Sequence, residues 1–424
     1  MANAFSKEER VAFENLLEGF QDALVLSRNV SIYNTDSVTM ERARDTIWRP
    51  QPYIAQSINS TPGSSISASY QDMTQLSVPA SLGYSKTVPW TMTTLELRDA
   101  LQENRLGSAA RQKLASDINV AVMNVAAAQG TLVVPVATAS GDYDDIALCD
   151  SIMNEQGVAS DNRYMALSSR DYNGLAGNLA VATRSFGNNK SDKAYERSYV
   201  GMVAGFDTYK LDYANRCLDN ATSGLTIATN GAQVEFAPSA TSVSVGGQIN
   251  VDNRYQTVTI SSTTGVLAGD AFTVAGIEAV HHITKQSTGE LKTFRVISIT
   301  NGTDMVISPP MIGGGGGTDA ELQYQNIHVA STSATAALTF LNINASNINP
   351  FWHKDAIEIL PGRYAIPGDA GTAVMRAATD QGIELVMQKW YDIDSMTIKY
   401  RLDTLFGVVN KQPEMSGILL FNQA

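Results

Sequence analysis

The chain has 424 residues with 42 acidic and 30 basic side chains, a formal net charge of −12 and a sequence pI of about 4.8. That length allows two to three domains with separate cores, and 44% hydrophobic residues exclude a disordered chain. The acidic balance argues against nucleic acid as the main ligand, because duplex binding rests on cationic contacts to phosphate.

Residues 6 to 27 read as an amphipathic helix. Ser6 and Glu9 have the spacing of a capping box. Phe13, Leu16, Leu17, Phe20 and Leu24 share one face. That stripe must bury against its own domain, a neighbouring subunit or an assembly partner. Residues 51 to 88 carry only Asp72 and Lys86 as charges, and Pro52, Pro62 and Pro79 exclude a helix. Such a length without an apolar stripe predicts an extended two-stranded arm lying on something outside its own domain. Its tip is expected at Gly63, Ser64, Ser65 and Ile66 through Tyr70.

Leu95 to Gln129 gives the longest helical signal, with a kink or split expected at Gly107 and Ser108 as a new N-cap. Thr131–Val136 follows as a strand, and Ile146–Gln156 and Ser169–Ala182 as helices. Then the character of the sequence changes. Residues 223–344 hold 12 charged side chains in 122 residues, against 60 in the other 302. The run is rich in Thr, Ser, Val, Ile and Gly, and reads as an all-β module set inside an α/β host. Strands are expected at Gln256–Ser261, Ala271–Ile277, Thr293–Thr300 and Met305–Ser308, with Asn301-Gly302 as a hairpin turn. Beyond it, Ile357–Leu360, Ile383–Met387, Met396–Arg401 and Ile418–Phe421 read as strands.

The search for catalytic groups gives little. His281-His282 has no cysteine or carboxylate cluster beside it in sequence, and zinc needs three or four converging ligands. Gly313–Gly317 is not followed by Lys-Ser/Thr, so it is a linker and not a phosphate loop. Asp142, Asp144 and Asp145 suit either a divalent cation or, more simply, a helix N-terminus. No cofactor or metal is expected. Cys149 and Cys217 are too few for a disulfide framework and read as reduced, buried thiols. The start MANAFSKEER lacks signal-peptide features, and no apolar run reaches the ~18 residues of a membrane span.

Several short motifs, in order, carry a resemblance. They are Thr46-Ile-Trp-Arg-Pro50, Leu97-Arg-Asp99, Ser108-Ala-Ala-Arg111, Val203-Ala-Gly-Phe-Asp207, Val251-Asp-Asn-Arg-Tyr255, Thr263-Thr-Gly265, Pro350-Phe-Trp352 and Asp355-Ala-Ile357. Over nearly its whole length the chain resembles the major capsid proteins of P22-like short-tailed bacteriophages. The resemblance implies an α+β, HK97-like capsid fold with an inserted β-barrel domain. It implies an N-terminal arm (1–50), an E-loop (51–88), a peripheral domain with a spine helix (89–135) and a first axial part (136–222). The insertion domain (223–344), a second axial part (345–394) and a C-terminal peripheral part (395–424) follow. It also implies a non-enzymatic shell of hexamers and pentamers around double-stranded DNA that is enclosed without specific binding. The partners are then other copies of the chain, a scaffolding protein and a portal at one vertex. No membrane is involved, and the procapsid forms in the host bacterial cytoplasm and expands on packaging.

Some HK97-fold capsids crosslink through an E-loop lysine, but residues 51–85 contain none, so a shell without covalent crosslinks is expected. Relatives place charges in the hairpin before the Asn253-Arg254 stretch. Here Thr241 to Asn250 has none, which leaves hydrogen bonds from Ser244 and Gln248 around the Gly246-Gly247 tip. An encapsulin-like compartment shell, or a glycan-binding protein using the β module, are the competing readings.

Overall fold

The computed structural model describes residues 7–33, 46–52, 57, 60–67, 70–93, 100–139, 141–182, 197–198, 200–211, 214–229, 233–330, 335–366, 371–379 and 381–423. The chain divides into two compact units. Residues 1–47, 79–125 and 357–409 form the first, and 48–78, 126–356 and 410–424 the second.

In the first unit, helix α1 spans Lys7–Ala23 and a 3-10 turn follows at Leu26–Asn29. Ser6 lies outside the described residues. Glu9 hydrogen-bonds the Tyr400 hydroxyl (3.1 Å) and pairs with Lys389, a use of that carboxylate that the expected capping box did not include. Helix α2 spans Ala100–Gln129 without a break. The expected split at Gly107 and cap at Ser108 are therefore corrected. One interior glycine costs about 1 kcal/mol, and burial of Leu114, Ile118 and Val122, each 0% exposed, outweighs it. The sheet orders Ser31–Ile32, Ile357–Pro361, Thr397–Asn410, Glu384–Asp392 and Ala373–Ala378. Tyr84–Thr93 also pairs antiparallel with Thr397–Asn410. Trp90 stacks on Tyr400 at 5.5 Å, a cross-strand pair.

Among the described residues the second unit holds two large sheets, besides two-stranded pairings. One orders Leu132–Pro135, Ser416–Leu420, Asn349–His353, Arg163–Ser168, Phe206–Leu211 and Met202–Val203. Helices α3 (Tyr143–Glu155) and α4 (Ser169–Ala182) pack on it around Ile146, Cys149, Met153, Leu175 and Phe206. Both cysteines are free and buried. The acidic cluster caps α3: Asp145 accepts the Asp142 N–H at 2.8 Å. Gly417 is required by close approach. A Cβ there would lie 2.3 Å from the Leu132 carbonyl oxygen and 2.4 Å from Phe351 Cζ. Ser416–Leu420 thus joins a different sheet from Thr397–Asn410, and Glu384–Asp392 pairs with the latter. The two units divide the chain near 356/357 and 409/410.

The other sheet lies wholly within 223–344. It orders Thr226–Ile227, Ala336–Phe340, Ala271–Val280, Ser287–Ile299, Asp304–Ser308 and Gln256–Thr259, with Ile327–Val329 also pairing Ala271–Val280. All of its pairings are antiparallel. Ile227 bridges Ile260 and Ser261 N–H donates to the Thr226 carbonyl, so the first and last strands also touch. Phe272 anchors the core, 5.6 Å from Phe294 and 6.2 Å from Phe340. The expected strands are all present, and Asn301 turns the hairpin by accepting the Thr303 and Asp304 N–H groups.

Candidate interface surfaces

Three exposed or amphipathic stretches stand out in the sequence, and the structure treats each differently. On α1, Phe13 and Leu16 are buried within the chain and Leu17 is half-buried. Leu24 is buried just past the helix end, and the Phe20 side chain lies outside the described residues. Most of the described stripe is therefore already covered.

Residues 60–76 are the opposite case. Gly63, Ser64, Ser65 and Ile66 are exposed, with a turn at Pro62-Gly63, and Tyr70 and Met73 are 79% and 72% exposed. Two short strands, Thr46–Pro50 and Ser77–Ser81, pair at the base. The returning limb rests on helix α5 (Asp319–Tyr324) of the β module. Asp72 N–H donates to Asp319 Oδ2 at 2.7 Å, and Gln323 Nε2 donates to the Asp72 carbonyl at 2.7 Å. Thr74 N–H donates to Gln323 Oε1 at 3.2 Å, and the Tyr324 hydroxyl donates to the Thr74 carbonyl at 2.9 Å. The footing of the arm is thus hydrogen-bonded to residues 319–324 of the same chain, while Gly63–Ile66 and Tyr70 are exposed.

The third stretch is a two-stranded hairpin, Thr241–Ser244 with Gly247–Asn250. Val243, Val245 and Ile249 are 88%, 111% and 52% exposed. Gly246, Gly247 and Gln248 are exposed too, whereas Ser244 turns inward to accept the Gly246 N–H at 3.3 Å. The hairpin carries no charge, so apolar tips and open backbone edges are what it offers.

Within the second unit lies a buried polar junction, at which Gln156 and Glu414 meet residues of 223–344. Lys292 Nζ donates to Gln156 Oε1 (2.8 Å) and Glu414 Oε1 (2.6 Å), and Asn326 Nδ2 donates to the same Glu414 oxygen at 3.1 Å. Burial raises the Glu414 carboxyl, but the charge and hydrogen bond of Lys292 outweigh it and hold the group below the usual carboxylate range. His282 Nε2 lies 3.3 Å from Glu414 Oε2, and burial lowers its pKa to about 4. Desolvation lowers Lys285 to about 8, where its ammonium caps the end of α5 through the Gln323 and Gln325 carbonyls. His282 therefore does meet a carboxylate, one that is 132 positions away and invisible to local spacing. Among the described residues no group of His, Cys, Asp and Glu could hold a metal.

Both crossings into the module are pinned by one buried carboxylate. Asp270 accepts Asn220 Nδ2 (2.5 Å), Asn342 Nδ2 (2.9 Å) and the Leu267 N–H (2.7 Å). All four cations of 223–344 turn toward protein. Lys292 and Arg295 are 1% exposed, Arg254 is 7% exposed and bonded to the Asn410 carbonyl, and Lys285 is half-buried.

Among the described residues the site geometry consists of exposed surfaces and buried polar contacts. The chain is similar to a solved structure from Mycobacterium phage Che8, with 9% identity over 93% of this chain and 90% of that one and a TM-score of 0.46. It is similar to the capsid structure of the cyanophage P-SCSP1u, with 11% identity over 93% and 86% and a TM-score of 0.43. Part of it is similar to the CUS-3 coat protein I-domain, with 35% identity over 29% of this chain and 98% of that one and a TM-score of 0.22. The family described as "P22 coat protein - gene protein 5" matches residues 1–422. The chain belongs to that family, and it is a phage capsid protein with a structural and not an enzymatic role.

Proposed function

We propose that copies of this chain build an icosahedral, HK97-like shell of hexamers and pentamers around double-stranded DNA. The observation that carries the reading is the family match over residues 1–422. In this reading 51–88 is the E-loop, and α2 the spine helix. The sheet of 223–344 is an inserted barrel, closed by the Ile227–Ile260 bridge. The exposed Gly63–Tyr70 tip lies on a neighbouring subunit, and its footing on α5 sets where the tip can reach. The apolar hairpin 241–250 meets a neighbouring capsomer through Val243, Val245 and Ile249 in place of salt bridges. Assembly runs through a procapsid on a separate scaffolding protein, with a portal at one vertex, in the host cytoplasm. The shell then expands on packaging without covalent links between subunits, since residues 51–85 offer no lysine.

The test is electron microscopy of the purified chain, alone and co-expressed with a candidate scaffolding protein. Closed isometric shells that run as one monomer band on denaturing gels are expected. A covalent ladder from mature particles refutes the absence of crosslinks, and a stable monomer under both conditions refutes the shell. Val245→Asp is expected to leave the monomer's stability within about 0.5 kcal/mol, as for exposed sites, while lowering the yield of shells. An unchanged yield removes the hairpin from the interface.

A further inference from the structure

The polar junction contains more than a brace. We propose that Lys292 and Asn326 join in an intramolecular isopeptide bond, with Glu414 moving the protons. The inference stands apart from how copies assemble, because the bond lies within one chain.

Nucleophile and leaving group share one acid–base oxygen. Lys292 Nζ lies 2.6 Å from Glu414 Oε1, and Asn326 Nδ2 lies 3.1 Å from the same atom. The Asn326 amide is held at both ends. Its Oδ1 accepts the Ile312 N–H at 3.0 Å, and its Nδ2 also donates to the Pro310 carbonyl at 2.9 Å. The Ile312 N–H therefore already faces the oxygen on which negative charge gathers during attack at the carbonyl carbon. Gln156 Oε1, 2.8 Å from Nζ, orients the amine. Lys292 and Asn326 are each 1% exposed, so water does not compete for the carbonyl.

The reaction balances without a co-reactant. Lys292 Nζ passes one proton to Glu414 and becomes a neutral amine. Its lone pair forms a bond to Asn326 Cγ, and the carbonyl π electrons move onto Oδ1 beside the Ile312 N–H. Glu414 delivers its proton to Nδ2, the Cγ–Nδ2 bond breaks, and ammonia leaves as the carbonyl re-forms. The attacking nitrogen gives up a second proton through Glu414, and the ammonia carries it away as ammonium. The ground state is the ion pair and the reactive form a minor tautomer, so the reaction is a slow, single event in each folded chain. Among the described residues Asn326 is the amide that presents its nitrogen to Glu414, which makes it, and not Gln156, the electrophile.

Intact-mass spectrometry of the purified full chain tests this directly. The expected mass is one ammonia short of the sequence, with trypsin failing to cut after Lys292 and a branched peptide joining Lys292 to Asn326. Asn326→Asp is expected to reach the same final mass by losing water instead, and Glu414→Gln to keep its full mass. A full sequence mass with clean cleavage after Lys292, or a branch at Gln156, overturns the proposal. Should Glu414→Gln fail to fold, the wild-type mass and digest decide alone.

Discussion

Asp270→Ala is the sharpest test of how the module is held. The carboxylate accepts from Asn220 on the entering segment, from Asn342 on the leaving segment and from the Leu267 backbone, and it is 2% exposed. Removing it leaves donors facing an apolar gap. A buried donor without an acceptor costs about 1–3 kcal/mol. Asn342 Nδ2 keeps the Leu218 carbonyl at 2.9 Å, so it loses least. Asn220 Nδ2 and the Leu267 N–H bear most of the cost, and buried Arg295 loses a nearby negative charge. The expected loss is about 4 kcal/mol in total, or on the order of 10 °C in the melting temperature of a unit this size. Urea unfolding of the unassembled chain, followed by tryptophan fluorescence, gives the midpoint shift, with the slope unchanged. Asp270→Asn, which keeps one acceptor oxygen, should lose about half as much. Because the groups share one partner, Asn342→Ala should cost less in the Asp270→Ala background than alone. A loss below about 1 kcal/mol for Asp270→Ala would show that the crossings are held by backbone pairing alone.

Further outcomes follow from the same contacts. Gly417→Ala should destabilise by several kcal/mol, on the order of the cost of overpacking plus backbone shift, because its Cβ would meet the Leu132 carbonyl; a soluble variant with wild-type urea midpoint contradicts this. Tyr324→Phe removes the bond to the Thr74 carbonyl and should cost about 1 kcal/mol, and limited proteolysis should cut faster within residues 61–70; equal cleavage rates contradict the footing on α5. His282 has a folded pKa of about 4 against an ordinary 6.5, so the unfolded chain binds the extra proton first. Stability should therefore fall as pH drops from 6.5 toward 4, by up to ~3 kcal/mol, and His282→Gln should flatten that slope. An identical pH profile in the variant refutes the assignment.

Local pattern gave some of this architecture and could not give the rest. Helix α4 and the module's strands were legible because apolar period and turn residues act over a few positions, as at Asn301-Gly302. Strand Asn349–His353 was not read as a strand, because it is buried on both faces and has no alternation, and Pro350 argues against a central strand. The exposed turn at Pro62-Gly63 was readable from its own residues. The partners of Glu9 were not, since Lys389 and Tyr400 lie 380 and 391 positions away. Glu414 meets Lys292 across 122 positions, which no spacing rule reaches. One signal was available: in a run so poor in charge, Lys292 and Arg295 lie in a strand whose neighbours Phe294 and Val296 are apolar. Charges in such a place are retained only when buried with partners.

The inward turn of the module's four cations leaves its solvent face with carboxylates such as Glu290 and Glu278 and with neutral Thr and Ser. Wherever two such faces approach, they repel over the screening distance of about 8–10 Å at moderate ionic strength. In the proposed shell, neighbouring modules would then act as soft spacers, and the uncharged hairpin would be the place where close contact costs least. Raising the salt should relax that spacing without touching a single hydrogen bond inside the module.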